Sequence, residues 1–319
     1  MEIKTRRLGQ TEIAITPIGL GVWQFSEGQG IHGLVWQRLS ADEADAIVAS
    51  ALTGGINWFD TAEAYGNGRS ERALSHALQQ AGQADTDVVI ATKWQPLLRT
   101  ANSIRHTIAE RQKNLAPYTI SLHQVHNPAS FSRPEAEMDA MADLLAEGKI
   151  RAVGVSNFST DRMRRAHDQL YRRGYALAAN QVKYSLLDRT IERNGVLEMA
   201  RKLGVTIIAY SPLEMGLLSG KFHENPALLN GRPIGRRYTL RRMIEASRPL
   251  INGLAHIAAL YGVTVSQVAL NWLINYHGER VVAIPGASKS RHAQESAGAM
   301  SFHLSAEEME RINYLSRKF

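Results

Sequence analysis

Short apolar segments rich in β-branched residues recur along the chain. Most are continuous runs rather than alternations of apolar and polar residues, which is typical of parallel strands covered on both faces. Eight such segments predict strands at residues 18–22, 56–59, 88–91, 119–125, 150–155, 177–182, 205–210 and 281–284. Amphipathic stretches lie between nearly all of them, so the pattern predicts strands and helices in alternation.

The spacing of these segments favours one closed barrel over two domains. From the second predicted strand to the seventh, successive strands start about 27 to 32 residues apart, the length of one strand–helix unit. No linker rich in Pro, Gly or Ser divides residues 1–319. The predicted fold is therefore of the α/β class, a single (β/α)8 (TIM) barrel domain.

Local signals refine this segmentation. Capping-box sequences predict helices that begin after Ser40, Thr264 and Ser305. Before the first strand, two short extended segments at 3–7 and 12–15 predict a β-hairpin that closes the floor of the barrel.

About seventy residues separate the seventh predicted strand from the eighth. The first half of this segment, residues 211–242, is rich in Gly, Pro and Arg and predicts a long loop. Long loops in compact domains are usually functional, so part of a binding site is expected here.

Composition narrows the class of protein. The 319 residues are 44% hydrophobic and 21% charged, the balance of a globular chain, which excludes disordered and collagen-like proteins. The absence of cysteine excludes disulfides, thiolate metal sites and cysteine nucleophiles. A net charge of +7 suits nucleic acid, membrane headgroups or a phosphorylated small molecule, and does not choose among them. No apolar run approaches the ~20 residues of a membrane span, and no secretion signal is recognisable, so a cytoplasmic location is expected.

Polar residues close the predicted strands. In a (β/α)8 barrel, reactive groups lie where the strands end, because the eight strand-to-helix loops converge at that rim. Asp60 ends the second strand, Lys93 the third and His126 the fourth, while Tyr65 follows Asp60 in its loop. A lysine at the end of a buried strand needs a counter-charge, which Asp60 can supply. A tyrosine held against such a lysine is expected to have a pKa below its usual value of about 10, which suits a general acid and base.

Each of these residues also has a purely structural explanation. Asp60 and Lys93 can form an ion pair that only stabilises the barrel, and Tyr65 can be a simple loop aromatic. His126 is one of 11 histidines. Taken together, the four form an acid–base cluster on three successive strand ends. The pair His123 and His126, three apart on a strand, faces opposite ways, so no metal site is expected.

Seven motifs stand in order at the predicted strand ends: FDTAEAYG at 59–66, ATK at 91–93, HQVHNP at 123–128, VGVSNF at 153–158, NQ at 180–181, AYSPL at 209–213 and IPGAS at 284–288. The set resembles the aldo-keto reductase superfamily over essentially the whole chain. The resemblance implies NADPH-dependent reduction of an aldehyde or ketone to an alcohol. It assigns Tyr65 as proton donor, Lys93 and Asp60 as the pair that lowers its pKa, and His126 as the donor that orients the carbonyl.

The resemblance also implies a cofactor site. It places the nicotinamide carboxamide on Ser156, Asn157 and Gln181, with the ring stacked on Tyr210. The implied pyrophosphate contacts are Ser211, Pro212, Leu213, Gly216, Leu217, Ser219 and Lys221. The implied adenosine contacts are Gly286, Ala287, Ser288, Lys289, His292, Glu295 and Ser296. Trp23, Asp60 and Arg236 complete the candidate cofactor residues.

Cations near the implied adenosine site favour NADPH over NADH. Lys289 and Arg291 stand at a predicted helix start, where backbone amides and positive charge suit a 2′-phosphate. Relatives often carry Gln and Asn where this chain has His292 and Ser296, which leaves NADH use open.

Three rim segments are expected to select the substrate: residues 23–36, 94–98 and 127–133. Trp23, Trp36 and Trp94 predict an apolar wall, although each can equally pack in the core. The Gly-rich residues 24–33 predict a mobile cover over the site.

Two other functions stay open at this point. Potassium channel β-subunits share the family's fold and keep a cofactor site, so a regulatory subunit with little turnover is the main alternative. An aldolase would form a Schiff base on Lys93, but it would not need the cofactor residues. The basic stretches lack interleaved aromatics, so no nucleic-acid partner is expected. The expected partner is a small carbonyl substrate, and the oligomeric state is not given by the sequence.

Overall fold

Eight parallel strands surround the centre of the protein in a computed structural model that describes residues 3–26, 39–230 and 234–319. The strands in these residues are β1 (Arg6–Arg7), β2 (Ala14–Ile15), β3 (Leu20–Gly21), β4 (Trp58–Asp60), β5 (Val89–Trp94), β6 (Leu122–Val125), β7 (Ala152–Ser156), β8 (Leu177–Lys183), β9 (Thr206–Tyr210) and β10 (Val281–Ile284). Strands β3 to β10 pair in chain order. Bridges from Ile18 to Ala283 and from Gly21 to Gly286 join the first barrel strand to the last. The predicted (β/α)8 barrel is confirmed.

Helices connect the strands and cover the outside of the barrel. They are α1 (Ala41–Thr53), α2 (Arg69–Gln80), α3 (Asn102–Leu115), α4 (Pro134–Ala146), α5 (Thr160–Arg172), α6 (Thr190–Arg193), α7 (Val196–Leu203), α8 (Lys221–Glu224), α9 (Ile234–Tyr261), α10 (Val265–Asn275), α11 (Ser290–Gly298) and α12 (Ala306–Ser316). The capping boxes at Ser40, Thr264 and Ser305 are present as predicted, each with both of its reciprocal hydrogen bonds.

Helix α1 illustrates how the outer layer packs. Ala44, Ile47, Val48 and Ala51 are buried, and their spacing of three or four residues forms one apolar stripe that faces the strands. In the part of the chain that the structure describes, no single helix has both the length and the apolar composition of a membrane span. The bent pair Leu240–Tyr261 and Val265–Asn275 reaches both only when its members are joined.

The predicted hairpin of β1 and β2 closes the floor of the barrel. Its apolar side chains Leu8, Ile13 and Ile15 are buried against inward-facing residues of the barrel strands. Gly9 donates its backbone N–H to Thr206 Oγ1 at 2.8 Å. A Cβ at Gly9, whose φ is +61°, would lie 2.5 Å from the backbone oxygen of Ala178, so the turn approaches β8 closely because it has no side chain. The opposite rim, where the strands end, is left for the site.

The segment after β9 departs from its prediction. Only its first part is irregular, with 3-10 turns at Glu214–Ser219 and Pro226–Leu229 around α8. Helix α9 begins at Ile234, inside the stretch predicted as a loop. The predicted end of the loop, at residue 242, was wrong because the Gly and Pro residues of this segment are more typical of loops than of helices. Leu240 and Ile244, four residues apart, are buried on one helix face, and Arg and Leu have high helix propensity.

Candidate active site

Asp60, Tyr65 and Lys93 meet where β4 and β5 end. The side chain of Lys93 is 0% exposed and that of Asp60 is 2% exposed. The ammonium of Lys93 donates to Asp60 Oδ1, to the backbone oxygen of Thr61 at 2.9 Å and to the hydroxyl oxygen of Tyr65 at 3.3 Å. Three acceptors therefore surround one buried ammonium group, and the expected pairing of Lys93 with Asp60 is present.

The pKa of Lys93 is raised. Burial acts to lower the pKa of this ammonium, but the attraction and hydrogen bonds of Asp60 and Tyr65 together outweigh burial. Lys93 is therefore a cation at neutral pH, and its charge is directed at the phenol oxygen of Tyr65.

The pKa of Tyr65 is raised as well, so the expectation of a lowered pKa is wrong. Burial raises the pKa of this phenol because it disfavours the phenolate, and Lys93 opposes that effect only in part. Asp60 lies against the same ammonium and acts to raise the pKa of Tyr65 further. The phenol therefore stays protonated at neutral pH, which is the form that can donate a proton.

His126 follows β6 and lies beside Tyr65. The two ring centroids are 5.5 Å apart with the planes at 82°, an edge-on arrangement. Both side chains line the same cavity. A substrate oxygen placed in that cavity can thus meet a phenol and an imidazole together.

His123 is separate from this group. Burial, with a smaller contribution from the neighbouring charge of Arg111, lowers the pKa of His123 to about 3, so the imidazole is neutral. Within residues 3–26, 39–230 and 234–319, no three His, Asp or Glu side chains come together in a set that could hold a metal ion.

Gln124, which the sequence analysis passed over, completes the surroundings of Asp60. Its side chain is fully buried, and its Nε2 donates to Asp60 Oδ2 at 3.1 Å. Gln181 donates from its own Nε2 to the same oxygen at 2.8 Å. A signal in the sequence could have found Gln124, because it stands two residues before His126 and so faces the same side of the sheet.

A cavity of about 630 Å³ extends from Tyr65 and His126 along the ends of β7 to β10. It brings together most of the predicted cofactor residues, namely Trp23, Asp60, Ser156, Asn157, Gln181, Tyr210, Ser211, Pro212, Leu213, Gly216, Ser219, Lys221, Gly286, Ser288, His292, Glu295 and Ser296. Two further lining residues, Gln24 and Asn127, lie in the rim segments that were expected to select the substrate. Lining residues that the sequence analysis did not assign to the site are Gly21, Met215, Thr264, Ser266, Ile284 and Pro285. Thr264 carried a visible signal as a helix cap, because such positions present backbone N–H groups.

Some predicted cofactor residues do not line the cavity. Leu217 and Ala287 are buried in the apolar core, and Lys289 is exposed without reaching the lining. Arg236 belongs to α9, and its side chain is outside the described part of the structure. Four predicted cofactor residues are therefore not among the described residues that line the cavity.

The predicted substrate wall also changes. Trp94 is 0% exposed and packs in the core, with its indole N–H bonded to Ser103 Oγ at 3.0 Å, so it does not form a wall. Instead, Leu97, Leu98 and Phe131 are exposed in the segments that follow β5 and β6. Trp36 and most of the predicted mobile cover fall in residues 27–38, outside the described residues.

The end of the cavity beside Tyr65 carries a hydroxyl and two amides. Asn157 adopts a left-handed backbone with φ of 59°, which Asn tolerates better than most residues. Its Nδ2 donates to Ser156 Oγ at 3.1 Å, and its Oδ1 accepts from the Tyr210 hydroxyl at 3.1 Å. With Gln181 on the next strand, these groups can both donate to and accept from a carboxamide, so they fit a nicotinamide.

The segment after β9 that lines the cavity has an unusual backbone. Ser211, Glu214 and Met215 have φ of 51°, 45° and 51°, in the left-handed region. Glu214 is buried, and its Oε1 accepts from Ser185 Oγ at 3.1 Å and pairs with Lys183 Nζ at 3.1 Å. Neighbouring side chains thus hold a strained turn in one shape, as is common where a ligand binds.

The far end of the cavity is positively charged. Lys221, Arg291 and His292 line it. Burial lowers the pKa of the His292 imidazole, and the cations Arg291, Lys221 and Lys289 lower it further, so His292 is neutral at pH 7. A concentration of positive charge on a cavity wall favours a phosphorylated ligand.

Comparison with known proteins gives a consistent result along the chain. A family model described as "Aldo/keto reductase family" matches residues 17–317. The chain is 30% identical to the chloroplastic pyridoxal reductase of Arabidopsis thaliana, covering 96% of this chain and 84% of the relative. It is 28% identical to the NADH-specific methylglyoxal reductase of Escherichia coli, covering 93% and 94% of the two chains.

A solved structure is similar over the same extent. The crystal structure of an aldo-keto reductase from Klebsiella pneumoniae in complex with NADPH superposes with a TM-score of 0.75 at 27% identity. It covers 99% of this chain and 96% of that one. The similarity therefore includes every strand end that contributes to the cavity.

Proposed function

The chain belongs to the aldo/keto reductase family of oxidoreductases, and from this premise we propose that it reduces an aldehyde or ketone to an alcohol with NADPH. The observation that carries the proposal is the contact of Lys93 Nζ with both Asp60 and Tyr65, beside a cavity that His126 also lines. When bound, the nicotinamide cofactor supplies the hydride. The side chains then have to place the carbonyl group and provide a proton.

Tyr65 is the proposed proton donor. Its raised pKa keeps the phenol protonated until negative charge develops on the substrate oxygen. The ammonium of Lys93, 3.3 Å from the phenol oxygen, stabilises the phenolate that remains after transfer. His126 donates a hydrogen bond to the same substrate oxygen and thereby orients it. A positioned proton donor of this kind contributes about 10²–10⁴-fold to a rate.

The cofactor site is proposed on the residues that line the cavity. Ser156, Asn157 and Gln181 are assigned to the nicotinamide carboxamide, and the ring of Tyr210 to the nicotinamide face. The hydrogen bond from the Tyr210 hydroxyl to Asn157 supports this assignment, because it holds the aromatic ring in one orientation. Ser211 to Lys221 are assigned to the pyrophosphate, and the start of α11 to the adenosine.

NADPH is proposed over NADH on the basis of charge. Of the two cations expected at the 2′-phosphate, Lys289 and Arg291, only Arg291 lines the cavity, and a guanidinium group at the start of α11 suits the additional 2′-phosphate of NADPH. The Klebsiella pneumoniae structure was solved with NADPH, whereas the Escherichia coli relative is named as NADH-specific. Equilibrium titration with both cofactors tests the choice, and tighter binding of NADH would refute it.

Single-turnover kinetics tests the activity. Protein loaded with one equivalent of NADPH is mixed with a reactive aromatic aldehyde, and the cofactor absorbance is followed. Wild type is expected to oxidise the cofactor, and Tyr65→Phe to do so at least about 100-fold more slowly. Tyr118→Phe is the matched control, because its buried hydroxyl donates to the backbone of Gln83 away from the cavity.

Two outcomes would contradict the proposal. Equal rates in wild type and Tyr65→Phe would refute the role of Tyr65. Tight NADPH binding without oxidation in wild type would favour the regulatory-subunit alternative. The cytoplasmic location and the expected absence of nucleic-acid and membrane partners stay predictions from the sequence.

A further inference from the structure

We propose that Gln124 is a positioning residue of this site: it holds Asp60 as an acceptor and orients the carboxamide of Gln181 toward the cavity. The inference rests on the proposed function, because it concerns how the proposed proton donor and nicotinamide site are held. Gln124 itself does not line the cavity, so it acts only through the two residues it contacts.

Three hydrogen bonds close a ring of side chains inside the barrel. Gln124 Nε2 donates to Asp60 Oδ2 at 3.1 Å, and Gln181 Nε2 donates to the same oxygen at 2.8 Å. Gln181 Nε2 also donates to Gln124 Oε1 at 3.4 Å. All three residues are buried. Polar groups kept together at such depth are costly to separate, because each loses its partner without gaining water.

The ring has a single chemically consistent arrangement. An ionised carboxylate only accepts hydrogen bonds, so both glutamines must turn their NH₂ groups toward Asp60 Oδ2. The other oxygen of Asp60 accepts from Lys93. One carboxylate thus accepts from two amides and from the ammonium that lies beside Tyr65, so Gln124 and Gln181 hold the carboxylate that Lys93 contacts.

The same arrangement determines which atom Gln181 offers to a ligand. Both hydrogens of its Nε2 are directed at Asp60 and Gln124. Gln181 lines the cavity, and its Oε1 is therefore the atom that can accept a hydrogen bond from a ligand NH₂. A nicotinamide carboxamide carries such a group. Gln124 thus links the proton-donor cluster to the proposed nicotinamide site.

The neighbouring strand leaves space for Gln124. A Cβ on Gly154 of β7 would lie 2.9 Å from Gln124 Cγ and 3.2 Å from Leu122 Cδ1. The first distance is too short for a real contact, so Gly154→Ala has to displace the side chain of Gln124. This substitution perturbs the ring without removing an amide, and it provides an independent variant.

The first experiment compares Gln124→Leu and Gly154→Ala with wild type by NADPH titration and single-turnover reduction. Loss of a hydrogen bond to a charged group is expected to weaken NADPH binding and slow turnover by about tenfold in Gln124→Leu. Gly154→Ala is expected to change both in the same direction by less. Asn271→Leu is the matched control, since this buried amide is bonded to the backbone oxygens of Ala299 and Phe302 in the outer layer.

The second experiment uses pH to separate positioning from simple packing. Gln124→Glu places a second carboxyl group beside Asp60, near Lys93. When this carboxyl group is ionised, it repels Asp60. When it is protonated, it donates a hydrogen bond to Asp60 Oδ2, and the site has the same net charge as in wild type. Like charge raises the pKa of such a pair, so the turnover of Gln124→Glu is expected to rise at least fivefold as pH falls from 9 to 6, relative to wild type.

The outcomes separate this inference from the proposed function. If Gln124→Leu and Gly154→Ala behave like Asn271→Leu and the pH profile of Gln124→Glu parallels that of wild type, Gln124 only fills space and the inference is refuted. If Gln124→Leu does not fold, Gly154→Ala and Gln124→Glu decide in its place. If wild type does not oxidise NADPH, the proposed function fails, and the NADPH titrations of the variants still test the orientation of Gln181.

Discussion

The buried pair of Asp60 and Lys93 allows stability and catalysis to be separated. Asp60→Asn removes the negative charge from a site where the side chain of Lys93 is 0% exposed. The ammonium then keeps its desolvation penalty without its counter-charge. Breaking a buried ion pair from one side costs about 3–5 kcal/mol. The double variant Asp60→Asn with Lys93→Met removes both charges, so it is expected to recover at least half of that loss.

The expected change is large enough to measure by thermal unfolding. With an unfolding entropy of about 2.1 cal/mol/K per residue, 3–5 kcal/mol corresponds to a decrease in Tm of roughly 4 to 8 °C for a chain of this length. Glu279→Gln is the control, because it breaks an ion pair on the surface. The side chain of Glu279 is 63% exposed and that of its partner Lys4 is 85% exposed. Exposed pairs contribute about 0–1 kcal/mol.

Circular dichroism during heating and during urea unfolding at pH 7 provides the assay, with single-turnover reduction measured on the same samples. The double variant is expected to regain stability but no activity, because it lacks the ammonium beside Tyr65. The reasoning is wrong if Asp60→Asn costs no more than Glu279→Gln. It is also wrong if the double variant is no more stable than Asp60→Asn.

Three further predictions follow from charges in the structure. Because the pKa of Tyr65 is raised, the rate of carbonyl reduction should stay constant as pH rises from 6 to 9, while the rate of alcohol oxidation, which needs the phenolate, should increase. Rapid-mixing measurements of both rates check this prediction. A decline in the reduction rate below pH 9 would contradict it. Lys183→Met leaves the buried carboxylate of Glu214 without its cation, which loosens the turn that lines the cavity. NADPH should therefore bind about tenfold more weakly in a fluorescence titration. Unchanged affinity would show that this ion pair does not hold the turn. Burial acts to raise the pKa of Glu192, but hydrogen bonds from His277 and other neighbours lower it to about 2. The contribution of Glu192 to the free energy of unfolding is then fully present above its unfolded pKa of about 4.3 and is lost as pH falls toward 2. Glu192→Gln should therefore reduce the dependence of this free energy on pH between about 4.3 and 2, as measured by urea unfolding. The same pH dependence in wild type and Glu192→Gln would argue against it.

Local chemistry accounts for what could be predicted from the sequence. Continuous β-branched runs have few options other than strands covered on both faces, and their regular spacing leaves room for one helix each. Ser40, Thr264 and Ser305 cap helices through bonds to residues three positions away, so a short window of sequence contains the whole interaction. Because parallel strands bring their ends to one rim, the residues of the candidate site could be named in advance.

Other features depend on contacts between distant parts of the chain. Trp94 is a core residue because of what packs around it, and the pKa of Tyr65 depends on how burial balances against an ammonium that Asp60 already neutralises. Burial and electrostatic balance are sums over residues far apart in sequence, and no local pattern encodes them.

Gln124 shows the same division. Its residue type and its place two positions before His126 are visible in the sequence, and its inward direction follows from strand geometry. Its contacts with Asp60 and Gln181, 64 and 57 residues away, exist only once the barrel has closed. The sequence by itself determined the strands, the caps and the rim of polar residues, because these follow from short-range pattern and backbone geometry. The tertiary structure alone decided which side chains are buried from water, which are charged and how the amide groups are oriented, because those properties depend on partners that only folding brings together.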